Sequence, residues 1–158
     1  MAAASWRYPT DLAMYDGDRS AWHAFLVRSE SGHGYYAIVD HGELVGLCCF
    51  GPEGRVPGQP AEGQDLLDVG GGIRPDLVGR GLGGVGLPIV LAFARQRFSP
   101  LGFRTAIASF NRRSIVLCRW IGFRPTATFL GPGGREFTEL VLLGGDRGER
   151  TAAFGRGS

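Results

Sequence analysis

The stretch DVGGGIRPDLVGRGLGG, residues 68–84, decides how this sequence of 158 residues folds. It continues an apolar run that predicts a strand, passes through Pro75, and ends in glycines where an apolar segment predicts a helix. Such a turn leaves main-chain N–H groups without partners at the positive end of the helix dipole, and its glycines let a phosphate approach the backbone. The stretch therefore predicts an anion-binding turn, with a tight turn that binds nothing as the alternative.

The glycine spacing can be compared with the known phosphate motifs. Gly79, Gly81 and Gly84 form GxGxxG, the dinucleotide-binding fingerprint. That motif also requires an acidic residue about 20 positions later, after the next strand, whereas the strand RTAIASF is followed by NRR, residues 111–113. Arginine suits a ribose phosphate, so a small NADP-dependent reductase stays an alternative. The P-loop motif is excluded, because all 17 basic residues are arginine and the chain contains no lysine.

The rest of the chain predicts two hairpins on either side of this unit. GHGYYAIVD and ELVGLCCF, joined by HG at 41–42, predict the first hairpin, and PTATFLG and EFTELVLLG around PGGRE predict the last. Helices are predicted over Leu82 to Phe98 and over Ser114 to Ile121, with Gly122 ending the second. The buried stripe expected on the first of these helices consists of Leu82, Val85, Ile89, Val90, Phe93 and Ala94.

The organisation of the chain points to one domain. Short helices are predicted within residues 10–30, and the glycine- and proline-rich residues 51–64 predict a long loop. We expect a single domain over residues 1–145 and a disordered, polar tail over residues 146–158. The order of the elements predicts an α/β fold with a mixed sheet and at least one parallel crossover.

Composition excludes several classes of function. A net charge of +2 is too small to predict binding to nucleic acid or to an anionic membrane. No apolar run approaches the roughly 20 residues that cross a bilayer, and the first ten residues lack the pattern of a secretory signal. Cys48, Cys49 and Cys118 form neither a disulfide framework nor a zinc-ligand spacing, so no metal site is predicted. We expect a cytoplasmic protein.

Two motifs at a suitable separation give the turn a more specific interpretation. V-G-R-G-L-G, Val78 to Gly83, follows the strand end IRP, and N-R-R-S-I-V-L-C-R-W-I-G-F follows at 111–123. With them the sequence resembles the GNAT superfamily of N-acetyltransferases, whose acyl-coenzyme A loop has the form R/Q-x-x-G-x-G/A. Two positions depart from that pattern. Val78 replaces the usual Arg or Gln, and Cys118 stands where many relatives have the tyrosine proposed to protonate the departing thiolate.

The resemblance implies a GNAT-like fold: a central, mostly antiparallel sheet with one parallel crossover and a splayed, V-shaped cofactor cleft. It implies transfer of an acetyl group from acetyl-coenzyme A to a primary amine by direct attack in a ternary complex. A catalytically degenerate domain that binds acyl-coenzyme A without turnover is the alternative. The acceptor would be a small molecule or a peptide, and a homodimer is compatible with the family. The residues expected at the cofactor are Val69, Gly70, Gly71, Gly72, Ile73, Val78, Gly79, Arg80, Gly81, Leu82, Gly83, Gly84, Asn111 and Ser114.

Candidates for the catalytic groups are few. Asp65 and Asp68, on the strand before the turn, are candidates for the base that takes the proton of the amine, although each also fits a solvated or paired structural acid. Glu43 and Glu139 are weaker candidates, since they lie at a turn and on a late strand. Cys118 fits either a buried apolar filler or a general acid in place of the tyrosine. Candidates for the lining of the acceptor pocket are Tyr15, Asp16, Trp22 and residues 51–64.

Overall fold

The structure is a computed structural model that describes residues 3–9, 33–60 and 65–144. The helices predicted within residues 10–30 and the tail predicted over 146–158 lie outside these ranges, as do the candidate acceptor-pocket residues Tyr15, Asp16 and Trp22. Within the ranges, no helix is long and apolar enough to cross a membrane.

The described chain contains six strands and two α-helices, with short 3-10 helices outside them. In chain order they are β1 (Gly34–Asp40), β2 (Glu43–Phe50), β3 (Leu66–Ile73), α1 (Leu82–Phe98), β4 (Gly102–Ala108), α2 (Arg112–Ile121), β5 (Arg124–Leu130) and β6 (Glu136–Leu143). The strands form one sheet in the order β1-β2-β3-β4-β6-β5. Only β3 and β4 run parallel, and α1 connects them. The mixed sheet with a parallel crossover is therefore confirmed.

The turn residues explain why the hairpins form where the sequence predicted them. His41 and Gly42 both have positive φ, 47° and 81°, which is the geometry of the two-residue turn that matches the twist of paired strands. At the other end of the sheet, β5 pairs antiparallel with β6 from Leu130↔Glu136 onward. α2 ends at Ile121 and is followed by its C-cap Gly122, whose φ of 122° suits a residue without a side chain.

The core lies between the sheet and one face of α1 and α2. Its largest fully buried side chains are Phe50, Leu91, Phe103, Phe123, Leu140 and Leu142. The stripe expected on α1 was partly wrong: Val85 and Ile89 are 63% and 62% exposed, whereas Leu91 is 1% exposed and packs with Val90 and Ala94. α1 is apolar on every side until Arg95, so its sequence does not determine which face turns inward.

Candidate active site

The sheet opens between its two parallel strands. β3 pairs with β4 over only three residues, from Leu66↔Gly102 to Asp68↔Arg104. Beyond Asp68, β3 stays paired with β2 in regular register, while β4 stays paired with β6 as far as Ala108. The edges of β3 and β4 that face each other are thus unpaired from Val69 and Thr105 onward. This gap corresponds to the splayed, V-shaped cleft that the family resemblance implies.

The glycine turn lies at the wide end of this cleft. Gly79 and Gly81 adopt left-handed backbone conformations, with φ of 83° and 78°, which favour glycine. Gly81 is the N-cap of α1, and no side chain caps the helix there. Among the described residues, the N–H groups of Gly79, Gly81, Leu82 and Gly83 have no backbone acceptor. Four main-chain donors at the positive end of a 17-residue helix make the turn suitable for an anion.

Arginine side chains add positive charge to the turn. A Cβ atom placed on Gly79 would lie 3.3 Å from Nη1 of Arg113, so the guanidinium from the first turn of α2 lies against the glycine backbone. Arg80, inside the turn, is exposed. Because β3 and β4 are parallel, the N-termini of α1 and α2 meet at this end of the sheet. The sequence indicated Arg113 only as a partner for an NADP phosphate, and the fold places it beside the turn.

Asn111 and Ser114 have a structural role that the sequence left open. Asn111 is the N-cap of α2, and its Oδ1 accepts a hydrogen bond from the Ser114 main-chain N–H at 3.3 Å. Both residues therefore lie near the wide end of the cleft, as a position at the cofactor requires. Their contact with a ligand stays a prediction.

A buried ion pair lies at the closed end of the cleft. Asp68 accepts hydrogen bonds from Nε and Nη2 of Arg104 at 2.7 and 2.8 Å, and the two side chains are 8% and 3% exposed. Arg55 adds a third contact, from Nη1 to Asp68 Oδ2 at 3.2 Å. Asp68 and Arg104 also form the last β3–β4 pair, so this ion pair joins the two strands at the point where they part.

Residues 51–60, here called the strap, cross the face of the sheet that is opposite α1 and α2. Gly54 lies on the Asp68–Val69 peptide, since a Cβ atom at Gly54 would be 2.9 Å from the carbonyl carbon of Asp68. Nε2 of Gln59 lies 3.5 Å from Asp68 Oδ1 and 3.1 Å from Glu139 Oε2. The strap therefore joins β3 to β6 across the cleft, and residues 51–60 of the predicted loop lie beside the candidate site.

The candidate bases have very different surroundings. Asp65 is exposed and lies just before β3, roughly 10 Å along the chain from Asp68 and on the closed side of the cleft. Glu43 is exposed at the start of β2, with Oε2 3.6 Å from Arg74 Nη1. Both oxygens of Asp68 are bound by guanidinium groups, which suits a structural role better than proton transfer. Glu139 is 7% exposed and lies on the strap side of the sheet.

Cys118 lies in the hydrophobic core. Its side chain is 5% exposed and belongs to the same cluster as Leu91 and Phe123. Burial raises the pKa of its thiol to about 12. A thiol in this position stays protonated, which supports the interpretation of Cys118 as an apolar filler and disfavours proton donation to a leaving thiolate.

The sheet order, the cleft and the turn together define the fold of the GNAT superfamily of N-acetyltransferases, and solved structures of that class match the chain. One is Mycobacterium smegmatis RimJ in complex with CoA-disulfide, with a TM-score of 0.66 and 15% identity over 94% of this chain and 73% of RimJ. Another is the N-acetyltransferase PseH of Campylobacter jejuni in complex with acetyl coenzyme A, with a TM-score of 0.58 and 13% identity over 75% and 72% of the two chains.

A third is the ribosomal-protein-alanine N-acetyltransferase from Brucella melitensis, with a TM-score of 0.60 and 22% identity over 80% of this chain and 76% of that chain. No protein-family model and no curated protein sequence matches the chain. At these identities the likeness establishes the fold. The GNAT-like fold expected from the two motifs is therefore confirmed.

Proposed function

We propose that this chain is an N-acetyltransferase that moves an acetyl group from acetyl-coenzyme A to a primary amine. The observation that carries the proposal is the turn of unpaired N–H groups at the mouth of a cleft between two strands. Such a turn binds an anion through the main chain, and the cleft offers an extended ligand a path into the sheet. Coenzyme A combines a diphosphate with a long, narrow pantetheine arm, and both parts suit this arrangement.

The residues that would hold coenzyme A follow from the position of the turn. The diphosphate would accept hydrogen bonds from the N–H groups of residues 79–84, with Arg80 and Arg113 supplying positive charge. Arg113 would thereby compensate for Val78, which lacks the polar side chain usual at that place. The pantetheine arm would lie along the edge of β3 that faces the gap, from Val69 to Ile73, where the exposure of the strand rises toward the turn. At the end of this edge the Ile73 carbonyl accepts a hydrogen bond from the Tyr8 hydroxyl at 2.7 Å.

The chemistry requires little beyond correct placement of two reactants. The thioester would reach the closed end of the cleft, where main-chain N–H groups of β3 beyond Asp68 can stabilise the carbonyl oxygen as it gains negative charge. Holding the amine against this carbonyl in one complex supplies a large share of the acceleration. Thiolate is a good leaving group, so the burial of Cys118 does not prevent the reaction. The amine would approach from the strap side, because the helices cover the other face.

The two alternatives differ in how well the fold supports them. A domain that binds acyl-coenzyme A without turnover would need the same turn and cleft, and only an activity measurement separates it from an enzyme. A small NADP-dependent reductase has less support, because a Rossmann site belongs to a sheet of several parallel strands, and here a single pair is parallel.

Calorimetry and a thiol-release assay test the proposal together. We expect coenzyme A and acetyl-coenzyme A to bind and NADPH not to bind, and we expect thiol release from acetyl-coenzyme A with at least one amine of a panel. The panel should contain polyamines, amino sugars and peptides with a free N-terminus. Tight binding of NADPH without binding of coenzyme A would overturn the proposal. Binding of acetyl-coenzyme A without turnover on any amine would favour the non-catalytic domain.

Arg113→Ala should weaken coenzyme A binding by about tenfold, because it removes a charge-assisted hydrogen bond to phosphate at an exposed site. Arg119→Ala is the matched control, since Arg119 is exposed in the last turn of the same helix, away from the glycine turn. Titration calorimetry measures both. Equal affinities for the two variants would show that Arg113 takes no part in cofactor binding.

A further inference from the structure

Glu139 is a buried carboxylate that, within the described ranges of the chain, accepts hydrogen bonds only from neutral donors. Its side chain on β6 is 7% exposed, with Oε1 accepting a hydrogen bond from Thr126 Oγ1 at 2.9 Å and Oε2 accepting one from Gln59 Nε2 at 3.1 Å. Among the residues that the structure describes, no arginine or histidine forms an ion pair with Glu139. Burying a carboxylate without a cationic partner costs free energy, so the charge of Glu139 contributes little to the stability of the fold by itself.

The neighbouring acid provides a contrast within the same cluster. Asp68 is bound by the guanidinium groups of Arg104 and Arg55, and the Gln59 amide lies between it and Glu139. Both carboxylates are buried, yet only Asp68 is paired with cations. Glu139 is therefore the acid in this cluster that can still take a positively charged partner.

The position of Glu139 relative to the cleft fits an acceptor site. Glu139 is the β6 partner of Ala106 on β4. Ala106 lies two residues after Arg104, the last residue of β4 that pairs with β3, so Glu139 lies beside the part of β4 that has separated from β3. The side chain at 106 is a methyl group, which leaves room between Glu139 and the gap. Glu139 alternates with the core residue Leu140, so it projects on the strap side of the sheet. The proposed coenzyme A turn is at the N-terminus of α1, on the other side.

We propose that Glu139 binds the ammonium group of the acceptor and takes its proton, an inference that rests on the proposed acetyltransferase function. The ammonium would replace the Gln59 amide as donor to Oε2. One proton passes from nitrogen to the Glu139 carboxylate, and the neutral amine then forms a C–N bond to the thioester carbonyl as the C–S bond breaks. A second N–H proton goes to the thiolate sulfur, giving the amide and coenzyme A, and Glu139 later returns its proton to solvent.

Glu139→Gln tests this role, because it keeps the shape of the side chain and removes the charge. We expect kcat/KM for the best primary amine of the panel to fall at least about a hundredfold, as for loss of a general base. Coenzyme A affinity should be unchanged, and the unfolding midpoint should be unchanged or higher. Glu136→Gln, at the exposed start of the same strand, is the control and should behave as wild type. Glu139→Asp keeps the charge and should restore part of the activity.

A weakly basic acceptor separates proton transfer from a merely structural role. An analogue of the best amine that carries a trifluoromethyl group on the carbon bearing the nitrogen is already mostly neutral near pH 7. Glu139→Gln should therefore lower the rate of this analogue much less than it lowers the rate of the parent amine. A structural role would affect both amines equally. An equal loss for the two amines, or wild-type activity in Glu139→Gln, would overturn the proposal.

Ethylammonium chloride provides a measurement that needs no turnover. Together with coenzyme A, it should raise the unfolding midpoint of the wild type more than sodium chloride does, and this difference should disappear in Glu139→Gln. If coenzyme A binds but no amine is acetylated, the proposed acetyl transfer is wrong. The difference in unfolding midpoint between the two salts then still tests whether Glu139 binds an ammonium group. The same shift in both proteins would overturn the assignment of Glu139 even if acetyl transfer is found.

Discussion

Replacing Asp68 by asparagine should lower the free energy of unfolding by about 3–5 kcal/mol, the range typical of breaking a buried ion pair. The substitution keeps the shape of the side chain but removes the charge that faces the Arg104 guanidinium at 2.7 and 2.8 Å. The asparagine NH₂ group would also face the Arg104 guanidinium, and both groups can only donate hydrogen bonds there. Urea denaturation, with both midpoint and slope compared with the wild type, measures the loss.

A surface ion pair supplies the control for this measurement. Asp76 binds Arg74 at 2.7 Å with its side chain 60% exposed, and exposed pairs contribute little to stability. Asp76→Asn should therefore leave the unfolding midpoint unchanged. The double variant Asp68→Leu/Arg104→Met should regain part of the lost stability, because apolar side chains replace both members of this pair, while Arg55 still loses its contact with residue 68. If Asp68→Asn were as stable as the wild type, the buried pair could not be what joins β3 to β4.

Gly81→Asp should weaken coenzyme A binding by at least about a hundredfold, whereas Gly81→Asn should weaken it by less than about tenfold. Aspartate and asparagine have the same shape and both tolerate a left-handed backbone better than other side chains do. Nothing lies within 4 Å of a Cβ atom at Gly81, so either side chain fits. Both side chains can accept hydrogen bonds from the N–H groups of the turn, but only aspartate adds a negative charge at the helix N-terminus, where it repels the diphosphate.

Titration calorimetry with coenzyme A measures this difference, and thermal unfolding confirms that both variants fold. Because the two substitutions share their backbone strain, the ratio of their affinities isolates the effect of charge. Equal affinities would mean that the turn does not hold the diphosphate, and the proposed function would lose the observation on which it rests.

Local signals in the sequence were sufficient for the six strands and two α-helices of the described ranges, apart from shifts at the ends of β4 and α2, and for the turn. The hairpin at His41 and Gly42 follows from two residues that accept positive φ between apolar strands. α1 begins at Leu82 and ends at Phe98, as predicted, because glycines precede it and Ser99 adopts a left-handed conformation after it. The motif around Gly79 indicated an anion site, and the unpaired N–H groups agree with that interpretation.

The contacts between residues far apart in the chain could not be predicted from the sequence. Asp68 and Arg104 are separated by 36 positions, and Gln59 and Glu139 by 80, so no local pattern shows that these side chains meet. Glu139 was only a weaker candidate for the base in the sequence, because its burial depends on the order of β4 and β6 in the sheet. The strap is a similar example: glycine and proline predicted a loop, but only the fold shows that Gly54 lies on β3.

The choice of cation beside the cleft has a chemical consequence. Arg104 lies at the closed end, where the thioester would be placed, and a lysine there would hold a nucleophilic nitrogen beside an acylating reagent. A guanidinium remains protonated and does not attack carbonyl carbon under the conditions in which proteins work. Since every one of the 17 basic residues is arginine, the sequence contains no side-chain amine that the proposed donor could acylate.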